Sequence, residues 1–338
     1  MSAPYDLPAI AMTMGDPAGI GPEICLDALR DAELLAQCHP VLFGDRAVLE
    51  DAAAATGRKI EASFLTPEAF ATAEISGPVI VDFALFRSGG VVPGNVKKDT
   101  GAAGYKFIEQ SIYAALEGKV AGVATGPIHK EALHAAGVPY PGHTEIFAAL
   151  TKAPRACMML TSEEITCSFV TTHVGYYEVP GLLTVERILD VIELTADAMA
   201  RLRKREPHLV VNGLNPHAGE SGLFGGGEEE KVIIPAIEQA RAKGLTISGP
   251  LPPDTAFLPR RREETDAFVC MFHDQGHIPL KMLAFDTAIN TTLGLPIVRT
   301  SVDHGTALDI AWQGKAKSGS MILATKLAAG FAGERAAV

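Results

Sequence analysis

The chain has 338 residues, 47% of them hydrophobic and 20% charged, with a formal net charge of −11. That balance predicts a cytoplasmic globular protein of one large or two medium domains; no run approaches the roughly eighteen apolar residues of a membrane span, and no secretion signal opens the chain. The acidic excess argues against nucleic acid and anionic lipid as partners, yet a local group of cations can still hold an anionic small molecule.

In chain order, "AIAMTMG" (9–15) reads as a strand that leads through the glycine-rich "DPAGIGPE" into the apolar-periodic "EICLDALRDAELL". Pro22 and Glu23 suit a first helical turn, where a missing N–H costs nothing and a negative charge suits the dipole. "PVLFGD" (40–45) is strand-like and "RAVLEDAAAATG" helical; a long helix is expected over 101–117, and "VAGVATGP" (120–127) precedes the helical "HKEALHAAG". Further strand-like runs are "ITCSFVTTH" (165–173), "HLVVNGLNPHAG" (208–219) and "AFVCMFHD" (267–274), with helices over 184–203 and 229–243. Such alternation predicts an α/β fold with a largely parallel sheet. There is no repeat or obvious linker, so two domains would be closely packed or interleaved. Cys25, Cys38, Cys157, Cys167 and Cys270 are scattered, odd in number and form no C-x-x-C pair, as expected of reduced thiols.

His173, the Asn215–His217 stretch and His273 each fall where a strand-like run gives out. Ligands of open α/β sheets bind outside the carboxyl ends of strands. Three neutral imidazoles so placed would make an open site for Zn²⁺ or another divalent ion. Taken singly, each is more often a packing or capping residue. "FHDQGHIPLK" (272–281) offers a rival, a zinc helix using His273 and His277. That motif needs H-E-x-x-H, whereas Asp274 stands in the glutamate position. Gly276 and Pro279 also disfavour a continuous helix. His273 is therefore expected to project alone from a strand end, with His277 beyond a glycine turn. His129, beside Lys130, is a further cleft candidate; His39, His134 and His208 read as surface or cap residues.

Taken together, "TMGDPAGIGPE", "TGPIHKEAL", "GHTEIFAALT", "TTH", "LNPHAGE", "HDQGHIPLK" and "NTTLGLPIVRTSVDHGTALDIA" carry a resemblance. The sequence resembles the 4-hydroxythreonine-4-phosphate dehydrogenases of vitamin B6 biosynthesis and their 4-phospho-D-threonate and 4-phospho-D-erythronate dehydrogenase paralogues, from about residue 9 to the C-terminus. The resemblance implies the fold of isocitrate and isopropylmalate dehydrogenases: two interleaved α/β domains around a central cleft, here 1–125 with 296–338 on the cofactor side, and 126–295 on the metal and dimer side. It implies a homodimer whose active site is shared, with one metal ligand coming from the partner subunit. Metal ligands carry over to His173, His217 and His273, for Zn, Mg or Co. Substrate contacts carry over to His143, Thr144, Lys281, Asn290 and Arg299. "DHGTALDIA" resembles an adenosine-binding loop for NAD, or alternatively NADP, placing His304, Gly305, Thr306 and Asp309 at the cofactor. Asp274, Lys281 and His143 are then candidates for proton transfer and His277 for substrate specificity. The glycines of "GDPAGIG" have the wrong spacing for a dinucleotide fingerprint and indicate only a tight loop.

The activity so implied is oxidation of the 3-hydroxyl of a 4-phosphorylated hydroxy acid to a β-keto acid that decarboxylates. Rival readings are an aromatic cis-dihydrodiol dehydrogenase, whose branch lacks "GHTE"; a phosphate acyltransferase, which lacks the three histidines; and a phospho-ligand binder without chemistry. Trp312 departs from the family, which usually has glycine after "DIA"; the indole either alters cofactor fit or packs at the surface.

Overall fold

A computed structural model describes residues 7–285 and 287–332. Two compact units divide the chain, one running to Ala153 and resuming at Leu295, the other Pro154–Gly294. The first boundary was expected at 125/126. It falls later because the helix His143–Thr151 packs on the helix Lys98–Leu116 of the first unit.

In the first unit the strands are β1 (Ala9–Thr13), β2 (His39–Gly44), β3 (Ser63–Leu65), β4 (Val79–Asp82) and β5 (Gly122–Thr125), with a late strand at Val298–Ser301. The second unit holds β6 (Cys157–Thr161), β7 (Thr166–Phe169), β8 (His208–Asn212), β9 (Thr246–Leu251), β10 (Ala267–Cys270) and β11 (Ile289–Leu293), which makes Val298–Ser301 β12. The first unit's order is β3-β4-β2-β1-β5-β12, parallel throughout. These strands are apolar runs because helices cover them: Lys98–Leu116 packs on β1, β2 and β5, and Gly319–Ala332 on β1, β5 and β12. Gly101 and Gly104 let the former helix approach closely, since a Cβ would stand 2.1 Å from the Ala132 carbonyl oxygen or 3.2 Å from that of Gly15.

The second unit's order is β11-β6-β7-β10-β8-β9, with β11, β6 and β7 antiparallel and the remainder parallel. The helix Val185–Arg203 buries Ile188, Val191, Ile192 and Met199 on one stripe and is capped by Thr184, whose hydroxyl accepts the Arg187 N–H at 3.0 Å. The expected helix over 229–243 begins as a wider π turn, Glu229–Ile233, before Ile234–Ala242. All five cysteines are buried and free. Among the described residues no helix is long and apolar enough to cross a membrane.

Candidate active site

β7, β10 and β8 are adjacent and parallel, so their carboxyl ends lie along one edge of the sheet. His173, His273 and His217 follow those three ends in that order. His173 and His273 come together, with ring centroids 5.8 Å apart. His217 lies instead on the wall of a cleft of about 310 Å³ with Asn215, Phe272 and Gln275. Among the described residues no group of three His, Cys, Asp or Glu is arranged to hold a metal ion. A single chain thus pairs two of the expected ligands and leaves the third apart.

The segment 272–281 corrects one expectation. His273–Ala284 is a continuous helix that runs through Gly276 and Pro279, so no glycine turn separates the two histidines. Packing overrides propensity here. Leu280 is buried in the unit's core cluster. A Cβ at 276 would stand 2.7 Å from Phe169 and 2.8 Å from Cys270 Sγ, so glycine is what lets the helix approach β7 and β10. Gln275 clamps its start, donating to the Gly213 carbonyl and accepting the Met271 N–H, each at 2.7 Å.

Each polar residue of the segment then has a distinct contact. Asp274 accepts from His273 Nδ1 at 2.7 Å and from the Tyr176 hydroxyl. These bonds, Tyr176 first, hold its carboxyl below the ordinary range. The carboxylate fixes the His273 proton on Nδ1 and leaves the Nε2 lone pair for a metal, the usual arrangement of ligating imidazoles. His277 stacks on His273 at 3.5 Å and 9°, lies 4.6 Å from the Phe169 ring, and donates from Nδ1 to the His273 carbonyl at 2.9 Å. Burial pushes it down to about 4, so it packs beneath His273 as a neutral ring. Lys281 lies a further turn along; burial lowers its ammonium, and Nζ is 5.2 Å from the Phe285 ring centroid. On β11, Asn290 donates to Met158 Sδ at 3.5 Å, and its buried Oδ1 has no hydrogen-bond partner.

His217 sits on a strained turn. His217, Ala218, Glu220 and Ser221 all have φ between 43° and 57°, a left-handed run costing roughly 1–2 kcal/mol per residue. Glu229 holds it, fully buried and accepting the Leu214 and Asn215 N–H groups at 2.8 Å and the Asn215 side chain at 2.9 Å. Sequence reasoning missed Glu229; the only signal was an acidic residue at the head of an expected helix.

In the first unit, His143 and Thr144 open the helix His143–Thr151, whose N-cap Gly142 offers no side-chain cap. Its first N–H groups therefore remain for an anion. Arg299, on β12 and 2% exposed, donates to Thr125 Oγ1 at 3.0 Å and lies 5.5 Å from the Phe147 ring centroid. Burial lowers its guanidinium to about 9 against the pull of Glu145, so it stays charged at neutral pH. Burial, then the Arg299 charge, pushes His143 well below 6.5, although the Gly126 carbonyl accepts from its ring. Its Nε2 is buried and without a hydrogen-bond partner. A buried cation, a neutral imidazole and a helix N-terminus together suit a phosphate or carboxylate.

The 303–312 segment packs on the glycine-rich loop. The Thr306 carbonyl accepts the Ile20 N–H at 3.0 Å, and a Cβ at Gly19 would stand 2.8 Å from that same oxygen. His304 Nδ1 meets the Gly305 carbonyl at 3.1 Å, and Gly305 and Asp309 are exposed. Trp312 is 8% exposed and packs beneath the loop, its N–H donating to Glu23 at 3.0 Å and its indole to the Pro17 carbonyl at 3.2 Å. Its φ of 58° is the left-handed region, which favours glycine.

The family model described as "Pyridoxal phosphate biosynthetic protein PdxA" matches residues 36–328. The chain is similar to the 4-hydroxythreonine-4-phosphate dehydrogenase of Desulforapulum autotrophicum, 44% identical over 328 residues that cover 95% of each chain. It is also similar to the D-threonate 4-phosphate dehydrogenase of Salmonella typhimurium, 42% identical over 94% of this chain and 97% of the other. The solved 4-hydroxythreonine-4-phosphate dehydrogenase of Klebsiella pneumoniae matches with a TM-score of 0.84 at 41% identity, covering 96% of this chain and 99% of its own.

Proposed function

The chain belongs to the PdxA family of pyridoxal phosphate biosynthetic proteins, and on that premise we propose a divalent-metal- and NAD-dependent dehydrogenase. Its substrate is 4-phosphohydroxy-L-threonine, oxidised at the 3-hydroxyl to a β-keto acid that loses CO₂. The fold is that of the isocitrate and isopropylmalate dehydrogenases, and the working unit is a homodimer. NADP is the alternative cofactor.

The observation that carries this reading is the His173–His273 pair at 5.8 Å, with His273 oriented by Asp274. Two donors in place and His217 apart fit a three-imidazole set completed by a second copy of the chain. Neutral imidazoles suit Zn²⁺ or Co²⁺ better than Mg²⁺. When bound, the ion supplies a Lewis acid for the hydroxyl and for the charge left by loss of CO₂. Arg299 and the N–H groups at His143 and Thr144 take the anionic end of the substrate. Lys281 balances its second charge, and Asn290 offers an amide to a hydroxyl. His304, Gly305, Thr306 and Asp309 hold the adenosine of the cofactor. Asp274 fixes a ligand, and His277 supports His273 from behind.

A second reading, 4-phospho-D-threonate or 4-phospho-D-erythronate as substrate, is favoured by the near-equal identity to relatives named for each activity, 44% and 42%. NADH formation from the three phosphorylated acids, side by side with Zn²⁺ or Mg²⁺, tests both. Turnover of the amino acid alone supports the first, and of a sugar acid alone the second. Silence on all three overturns both.

A further inference from the structure

Glu23 is a fully buried carboxylate that the proposed chemistry leaves unused. It stands in the first turn of the helix Gly21–Ala28, and both its oxygens bond the segment assigned to the cofactor. Oε1 accepts the Trp312 N–H at 3.0 Å and Oε2 the Gly314 N–H at 3.1 Å. Arg58 supplies the counter-charge, its Nη1 standing 3.2 Å from Oε2 and its Nη2 2.9 Å from Asp27 of the same helix. A buried carboxylate met by two N–H groups and a guanidinium is satisfied by the protein, so its work is to hold those partners.

The segment needs holding. Residues 302–318 form neither helix nor strand, and Ala307 and Trp312 have φ of 41° and 58°. Non-glycine backbone in that left-handed region persists only where its surroundings fix it. Three ties do so: the Glu23 bonds, the Trp312 indole on the Pro17 carbonyl at 3.2 Å, and the Ile20 N–H on the Thr306 carbonyl at 3.0 Å. All three end on the glycine-rich loop or the helix that follows it. The tied segment still has a side for a ligand. His304 Nε2 is buried without a hydrogen-bond partner, and nothing stands within 4 Å of where a Cβ on Gly305 would be. We propose that Glu23 and Trp312 are positioning residues for the dinucleotide: they touch no ligand, and they hold residues 304–309 in the binding shape before it arrives. A segment ordered in advance spares the ligand the cost of ordering it. This rests on the reading of a nicotinamide-dependent dehydrogenase with its adenosine on this segment, and it adds what pre-forms that site.

The test combines calorimetric binding of NAD⁺, or of NADP⁺ should the wild type prefer it, to the full-length protein with the emission of Trp312, the chain's single tryptophan. Glu23→Gln keeps the shape and one acceptor but turns an NH₂ toward the other N–H and Arg58. Its dinucleotide Kd rises roughly tenfold, the worth of one hydrogen bond to a charged group. In the free variant the indole emission shifts to the red as the segment loosens, and saturating dinucleotide restores the wild-type emission. The KM for the phosphorylated acid that the wild type turns over, and kcat at saturating dinucleotide, stay at wild-type values; a general loosening of the fold would move both. Trp312→Phe keeps an aromatic ring and loses the bond to Pro17, so Kd rises about threefold with the same unchanged KM; this arm reads the proposal should Glu23→Gln fail to fold. Unchanged dinucleotide affinity in either folded variant, or a KM for the acid that rises in step with Kd, overturns the proposal alone. No binding of NAD⁺ or NADP⁺ to the wild type overturns the cofactor reading and the proposal with it.

Discussion

Arg299→Met should make the protein more stable and a worse enzyme. The guanidinium is 2% exposed, and burial brings it from 12.5 to about 9. At 1.36 kcal/mol per pH unit that is roughly 5 kcal/mol set against the charged form. Its contacts, the hydrogen bond to Thr125 and the face of Phe147 among them, return about 1–2 kcal/mol. Methionine fills a similar volume without charge, so the free protein should gain about 3–4 kcal/mol, a shift of several degrees in unfolding temperature. The same change removes a charge-assisted contact to the substrate's anionic end, worth about 2–3 kcal/mol, so KM should rise roughly 30- to 150-fold. Urea unfolding at pH 7 measures the first effect and initial rates the second. A less stable variant with an unchanged KM would refute the assignment of this cation to a ligand, because Arg299 would then be a structural residue that the fold needs.

Asp274→Asn should weaken zinc affinity about 10- to 100-fold with little loss of secondary structure, since it withdraws the carboxylate that orients His273; equilibrium dialysis showing unaltered affinity would sink that role. Asp266 gives an acid-stability signature. Burial raises its carboxyl, but Arg205 at 2.7 and 2.8 Å, the His208 N–H at 2.8 Å and Arg203 outweigh it and hold the group below 3.8. A depressed carboxyl contributes stability above its unfolded value and loses it as pH falls through the native one. Asp266→Asn should therefore cost about 2 kcal/mol at pH 7, and the gap should close as pH falls through the native value; a gap in urea midpoint that stays constant as the pH is taken from 7 down through the acid range would disprove it.

The sequence alone determined where the elements lie and which residues end them. Apolar runs that stop at polar residues mark β1, β2, β5, β7, β8 and β10, and the histidines after β7, β8 and β10 follow from the same punctuation. Local burial writes itself into periodicity, so this much is legible one segment at a time. β3, β4, β6, β9, β11 and β12 were not distinguished, and the antiparallel β6–β7 hairpin was hidden with them, because strand pairing is not written in either segment alone.

What depended on partners distant in sequence was decided only by the tertiary structure. The adjacency of β7, β10 and β8 brings His173 to His273 across a hundred residues, and nothing local encodes that order. Gly276 and Pro279 argue against a helix by propensity, yet the closeness of Phe169 and Cys270 makes glycine the residue the packed helix requires. Trp312 was ambiguous until its indole met Pro17 and Glu23 met its backbone. Nothing in the chain shows how deeply Arg299 and Asp16 are buried. Burial is a property of everything folded around them, and it lowers the guanidinium of one and raises the carboxyl of the other.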